Sequence, residues 1–226
     1  DNVIHTSSVG MGTLKPGDSL VNQGGIVGEN PSASGITGLW LQNGGTALNS
    51  GAISLSGNGG NVYGVFCDAG TGGNVVNAGS IAVTNVGGSD TDVATGILLI
   101  QGGTASNTGS IMACNRSNAY GISAYGTAEI VNAGRITAVS EEGKAYGIQM
   151  NAGTVSNFGV IDAIGQSGHE LSLDGASKVT VRTWAVELRD FTDAASRPFF
   201  VSDKPAAAQP AAQQEEEQHF TQHRQP

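Results

Sequence analysis

Charged and aromatic residues are both scarce in this chain, at 13% and 5% of its 226 positions. So few aromatics cannot fill a large globular core, and charge this sparse excludes a solvated, disordered chain throughout. Proline is also rare: six accompany 35 glycines, which follow no strict three-residue period, so a collagen helix is excluded. No apolar run approaches the roughly 18 residues of a membrane-crossing helix. Ten Lys and Arg stand against 19 Asp and Glu. The resulting net charge of −9 lacks the basic surface that displaces counterions, so no nucleic-acid partner is expected. The two cysteines, Cys67 and Cys114, fall at different points of the repeat described below and set no disulfide framework. The chain opens Asp1-Asn2-Val3, without methionine or a basic-then-apolar leader. Such an opening is expected of a chain whose signal peptide was removed, or of an excised piece.

Glycine is present in abundance, and it is unevenly placed. All 35 glycines lie in the first 175 residues, whereas 15 of the 29 charged residues follow Gly168. The glycine-rich body is repetitive. Asn-x-Gly-x-Ile begins at Asn22, Asn49, Asn77, Asn107, Asn132 and Asn157, in steps of 27, 28, 30, 25 and 25 residues. A second element sets glycine before apolar residues: Gly38-Leu39-Trp40-Leu41, Gly64-Val65-Phe66, Gly96-Ile97-Leu98, Gly121-Ile122 and Gly147-Ile148. Tyr63, Tyr120 and Tyr146 precede that glycine in three of them. A third element leads into the asparagine, as in Gly45-Thr46-Ala47-Leu48 and Gly103-Thr104-Ala105-Ser106.

Each repeat therefore holds three short pieces, too brief and too rich in glycine for helices. β-branched residues alternate with small ones, as half-buried strands require. Asn and Gly are expected to supply positive-φ corners. Three strands and three corners in about 25 residues describe one coil of a parallel β-helix. The expected fold class is all-β: a right-handed parallel β-helix, or solenoid, of about six coils with a C-terminal capping segment. Repeats that vary from 25 to 30 residues argue against the left-handed form built from hexapeptides. Coils about 4.8 Å apart place equivalent residues above one another. Ile26, Ile53, Ile81, Ile111, Ile136 and Ile161 should then form an inward stack, and equivalent asparagines should bond from coil to coil. Six coils give a rod roughly 25–30 Å long. Asn85 to Asp92, in the longest repeat, reads as a projecting surface loop.

The expected organisation is 1–169 for the β-helix, 170–204 for a C-terminal cap or the start of a following segment, and 205–226 for a low-complexity linker or tail. Val179 and Val181 alternate with polar residues, and Trp184, Phe191, Phe199 and Phe200 bring bulk. A solenoid end leaves strand edges to be covered, which is the role expected of this stretch. The Ala/Gln/Glu-rich tail should be mobile and cut early near Lys204 or Arg224.

Catalytic patterns do not emerge. The chain has no nucleophile elbow, phosphate loop or HExxH. His169-Glu170 lacks the second histidine; His219 and His223 have i,i+4 spacing without further ligands nearby; His5 reads as a surface residue. Asp90 and Asp92 form half a calcium loop with no continuation. Asp68 ends a strand, where a β-helical polysaccharide lyase or hydrolase places an acid. However, Asp68, Asp90, Asp92, Asp162 and Asp174 occupy different repeat positions and form no converging pair. No catalytic, cofactor-binding or metal-binding residue is assigned. The tyrosine rank suggests two roles: a strip for stacking sugar rings, or an aromatic ladder covering the coil, which is the simpler reading. Flat ranks of Thr-x-Thr, which an ice-binding face needs, are missing.

The repeat Asn-Ala-Gly-Ser-Ile, followed by Tyr-Gly-Ile and then Gly-Thr-Ala, resembles the passenger domains of bacterial autotransporters and the related filamentous-haemagglutinin type of exoprotein. The resemblance covers residues 20 to 165. It implies export by a Gram-negative cell, display outside the outer membrane and, often, adhesion. The function expected from it is that of a non-catalytic rod or adhesin, secreted or on the cell surface. Such a protein would be monomeric, would meet a host-surface or carbohydrate ligand, and would not insert this segment into a membrane. The alternatives are a β-helical carbohydrate-active enzyme, marked by carboxylates converging on one face, and a trimeric tail-fibre-like appendage, marked by an outer apolar stripe.

Overall fold

A computed structural model describes residues 2–173, apart from 33, 69, 71 and 88–90. The expected cap after residue 173 and the tail lie outside the described residues, as do Asp90, Asp174, His219 and His223.

The described chain is all β. Coil one comprises β1 (Val3–Thr6), β2 (Val9–Thr13) and β3 (Ser19–Asn22); coil two comprises β4 (Gly25–Asn30), β5 (Ile36–Leu41) and β6 (Gly45–Asn49). Coil three holds β7 (Ala52–Gly57), β8 (Val62–Cys67) and β9 (Gly73–Asn77), and coil four β10 (Ser80–Asn85), β11 (Val93–Leu99) and β12 (Gly103–Asn107). In coil five, β13 (Ser110–Asn115) is followed by one long strand, β14 (Asn118–Asn132). Coil six repeats that form with β15 (Arg135–Ser140) and β16 (Lys144–Asn157), and β17 (Val160–Ile164) and β18 (Ser167–Leu173) begin a seventh. Every pairing between strands is parallel and joins equivalent strands of successive coils, so the architecture is a β-solenoid of about six turns.

Three strand faces surround the core. The first stacks β1, β4, β7, β10, β13, β15 and β17. The second stacks β2, β5, β8, β11, the first half of β14 and of β16, and β18; the third stacks β3, β6, β9, β12 and the second halves of β14 and β16. From coil five onward the second and third faces share one bent strand, and the register shifts at the bend between Ala124 and Thr127.

Side-chain alternation fills the interior. The first face contributes Ile26, Ile53, Ile81, Ile111, Ile136 and Ile161, paired in exact register and all buried. Ile4 extends this stack into coil one. The second face adds Leu39, Val65, Ile97, Ile122 and Ile148, and the third adds Leu20, Ala47, Val75, Ala105, Ile130 and Val155. A core one side chain thick needs few aromatics, which accounts for their scarcity.

The asparagines form the predicted ladder. Asn22, Asn49, Asn77, Asn107 and Asn132 each donate Nδ2 to the Oδ1 of the next asparagine, ending at Asn157, over 2.7–2.8 Å. All six side chains are buried, so each bond satisfies an amide that would otherwise be costly to desolvate.

The corners require one correction. Asparagine was expected to share positive φ with glycine there, but no described residue other than glycine has positive φ. Moreover, Gly51, Gly79, Gly109, Gly134 and Gly159 of the Asn-x-Gly motif are not among the positive-φ glycines. They are needed because coils approach closely: a Cβ on any of them would fall onto the carbonyl oxygen of the equivalent glycine in the preceding coil. The glycines of the second element serve the core instead. A Cβ at Gly64, Gly96 or Gly121 would collide with Cγ2 of Ile81, Ile111 or Ile136, so the absent side chains make room for the isoleucine stack.

Candidate functional site: an aromatic groove on the second face

Whether the coil lattice assembles a catalytic centre depends on where its titratable residues fall. Asp68 follows β8, Asp92 precedes β11, and Asp162 lies on β17 of the first face. Asp162 pairs with Arg135 on the adjacent strand, and Glu142 pairs with Arg116 at 3.0 Å. Each pair links neighbouring coils on an exposed surface. Among the described residues no group of three or more His, Cys, Asp and Glu side chains lies together. His5 is exposed on β1, as expected. His169 takes the register position after Tyr146.

Both cysteines are free. Cys67 points into the core at the level of Leu41 and Leu99, whereas Cys114 lies on the outer side of the first face between Thr84 and Val139. Burial pushes the Cys67 thiol up to about 12. Burial, and then the Glu141 carboxylate, also raise Cys114. Neither is activated as a nucleophile, because the thiolate is the reactive form and both sites disfavour it.

The outer side of the second face is different in kind. Two ranks run along it. One reads Val9, Thr37, Tyr63, Thr95, Tyr120, Tyr146; the other reads Gly12, Trp40, Phe66, Leu98, Ser123, Gln149. Trp40 and Phe66 stack with centroids 6.1 Å apart and planes at 16°, and Tyr63 meets Phe66 at 4.9 Å and 26°. Tyr120 and Tyr146 form a separate pair, 5.2 Å apart and at 11°. The tyrosine rank expected from the sequence is thus divided. Tyr120 and Tyr146 cover one another, while Tyr63 has threonine above and below it and turns to Phe66. Burial, then the Tyr125 phenol, raise the Tyr63 pKa, and a hydrogen bond with Asn61 opposes the shift.

A groove of about 370 Å³ opens beside these rings. Ser8, Val9 and Thr37 border it at the short end of the first rank, and Trp40, Tyr63 and Phe66 supply its aromatic side. The corners before β5 and β8 add Ser34 and Asn61. The tyrosine rank pointed to one wall of this groove through Tyr63, but not to Trp40 and Phe66, because only two of the five second-element copies carry an aromatic at that position. The available signal was their register: Trp40 and Phe66 each follow the second-element glycine by two residues.

Comparison of the chain with protein-family models, with curated proteins and with solved structures gives no match.

Proposed function

We propose that this chain is a non-catalytic rod that displays an adhesive surface outside a bacterial cell. Its support begins with the repeat pattern that resembles exported passenger domains. The observation that carries the reading is the distribution of chemistry over the coils. The described carboxylates are dispersed over corners and strands, with Glu29 on β4, Glu129 on β14 and Asp162 on β17, whereas Trp40, Tyr63, Phe66, Tyr120 and Tyr146 gather on the outer side of the second face. Acid–base hydrolysis requires two groups converging on one bond, and adhesion requires only a presented surface.

The same face bears on the appendage alternative. Side-by-side association of solenoids calls for an apolar stripe along the rod. Here the part-exposed apolar members are Trp40 and Phe66 alone; Leu98 and Ser123 are buried, and the rank ends at the polar Gln149. A patch confined to two coils suits a local ligand better than a rod-long interface.

The test combines two incubations. Beads coated with the protein should retain glycan-bearing cells, and polygalacturonate, hyaluronan and peptidoglycan should yield no cleavage products. Product release that is lost on changing Asp68 or Asp92 would replace the adhesive reading with the enzymatic one.

A further inference from the structure

We infer that the groove beside Trp40, Tyr63 and Phe66 is a binding site for a pyranose ring of a neutral glycan. This inference rests on the adhesive reading and names the ligand class for its surface.

Successive coils repeat about 4.8 Å apart, so an outward rank offers one side-chain layer per strand. Where two neighbouring members are aromatic, the rings fill consecutive layers, as Tyr120 and Tyr146 do at 5.2 Å. Where the rank drops from an aromatic to a short side chain, the layer beside the ring is either packed, as at the buried Thr95, or open, as at the groove. At the groove the drop is from Tyr63 to Thr37, both of which line it. A ring supplied from outside can therefore continue the stack, with its apolar C–H face against an aromatic side chain, at the separations that ring pairs adopt.

Polar chemistry at the groove fits the edges of such a ring. Ser8, Ser34, Thr37 and Asn61 border it; Ser34 Oγ is held by Asn30 and Ser32, and Asn61 by Val93 N and Tyr63, so the Ser8 and Thr37 hydroxyls are the groups offered to ring hydroxyls. The volume, about 370 Å³, lies within the ~300–1,000 Å³ of small-ligand sites. No Lys, Arg, Asp or Glu lines the groove. A uronate, sialate or phosphate would find no counter-charge there, and the site therefore favours a neutral sugar.

Two substitutions separate binding from folding. Thr37→Tyr places a ring in the layer beside Tyr63, in the register that Tyr120 and Tyr146 already use, so it should fill the site while preserving the coil. Trp40→Ala removes the aromatic side instead. Cellohexaose, mannohexaose and galactohexaose, with an acidic galacturonate hexamer as control, are titrated by calorimetry into wild type and both variants. Circular dichroism melts of all three proteins report folding. The expected result is that at least one neutral hexamer binds wild type, that both variants weaken it by about tenfold or more, and that the galacturonate hexamer binds no better than the neutral ones. Absence of binding by every neutral hexamer, preference for the acidic one, or unchanged affinity in a folded Thr37→Tyr variant would overturn the inference. So would wild-type dimerisation that Thr37→Tyr abolishes, since a second copy would then be the occupant. Bead adhesion that persists in Thr37→Tyr would discard the groove and keep the adhesive reading. Adhesion absent from wild type would discard both.

Discussion

Asn107 shows what one residue does in a stacked coil. Its side chain is fully buried, accepts from Asn77 and donates to Asn132. Replacing it with alanine leaves a donor and an acceptor unpaired on either side, and such groups cost about 1–3 kcal/mol. Urea unfolding of Asn107→Ala should show that loss; an unchanged midpoint would mean that the ladder contributes nothing. Cys67 gives a residue-scale prediction of another kind. Its folded pKa is raised from the ordinary 9.0 to about 12 by burial. Below pH 9 the thiol is neutral in both folded and unfolded chains and costs nothing. Between pH 9 and 12 the unfolded chain releases the proton and the folded one does not, so stability should fall by about 1.4 kcal/mol per pH unit. Unfolding curves at several alkaline pH values should show this slope in wild type and a shallower one in Cys67→Ala. The asparagine repeat was legible in the sequence, because a polar residue recurring at coil spacing has nowhere to bond but up and down. The reason for the adjacent glycine was not legible. The sequence pattern suggested positive φ, and the true constraint is a carbonyl from another coil, which no local pattern encodes.

At the scale of the element, the corner after each third-face strand sets how closely coils approach. Gly109 faces the carbonyl of Gly79 across that corner, so a methyl group there pushes two coils apart. Gly12 lies on a strand where an added Cβ would meet only ordinary contacts, the nearest at 3.7 Å. Neither residue has positive φ. Gly109→Ala should therefore lower the melting temperature markedly, and Gly12→Ala should leave it nearly unchanged. Equal effects in a calorimetric scan would show that backbone entropy, rather than coil spacing, explains these glycines. Strand existence and type were readable from the period of Ile26 to Ile161, since each isoleucine had to face inward for the repeat to bury anything. The fusion of the second and third faces into β14 and β16 was not readable. Gly126-Thr127 and Ala152-Gly153 look like the corner glycines of earlier coils, and only the shorter connections of coils five and six let the strand run through its bend. The groove was legible only through Tyr63, because the rest depends on which ring sits opposite Thr37 one coil away.

For the whole molecule, the central claim is that six coils form one continuous stack. Only four Lys and Arg residues, Lys15, Arg116, Arg135 and Lys144, lie within the described residues. The side chains of Arg116 and Arg135 are more than half exposed, so trypsin can reach them. Their backbones are tied into the lattice. Arg116 donates to Asn85 O and accepts from Glu142 N, Arg135 is paired on both sides by β13 and β17, and Lys144 N donates to Asn118 Oδ1. Cleavage needs a locally extended, unpaired segment, so sites held this way are cut only when the stack opens. Limited trypsin digestion of the native protein, followed by mass spectrometry, therefore tests the stack directly. The solenoid account predicts a resistant fragment in which Arg116, Arg135 and Lys144 all remain uncut at early times. Early cleavage at any of these three would show that the coils are not continuous there, and the rod and the surface it presents would both be contradicted.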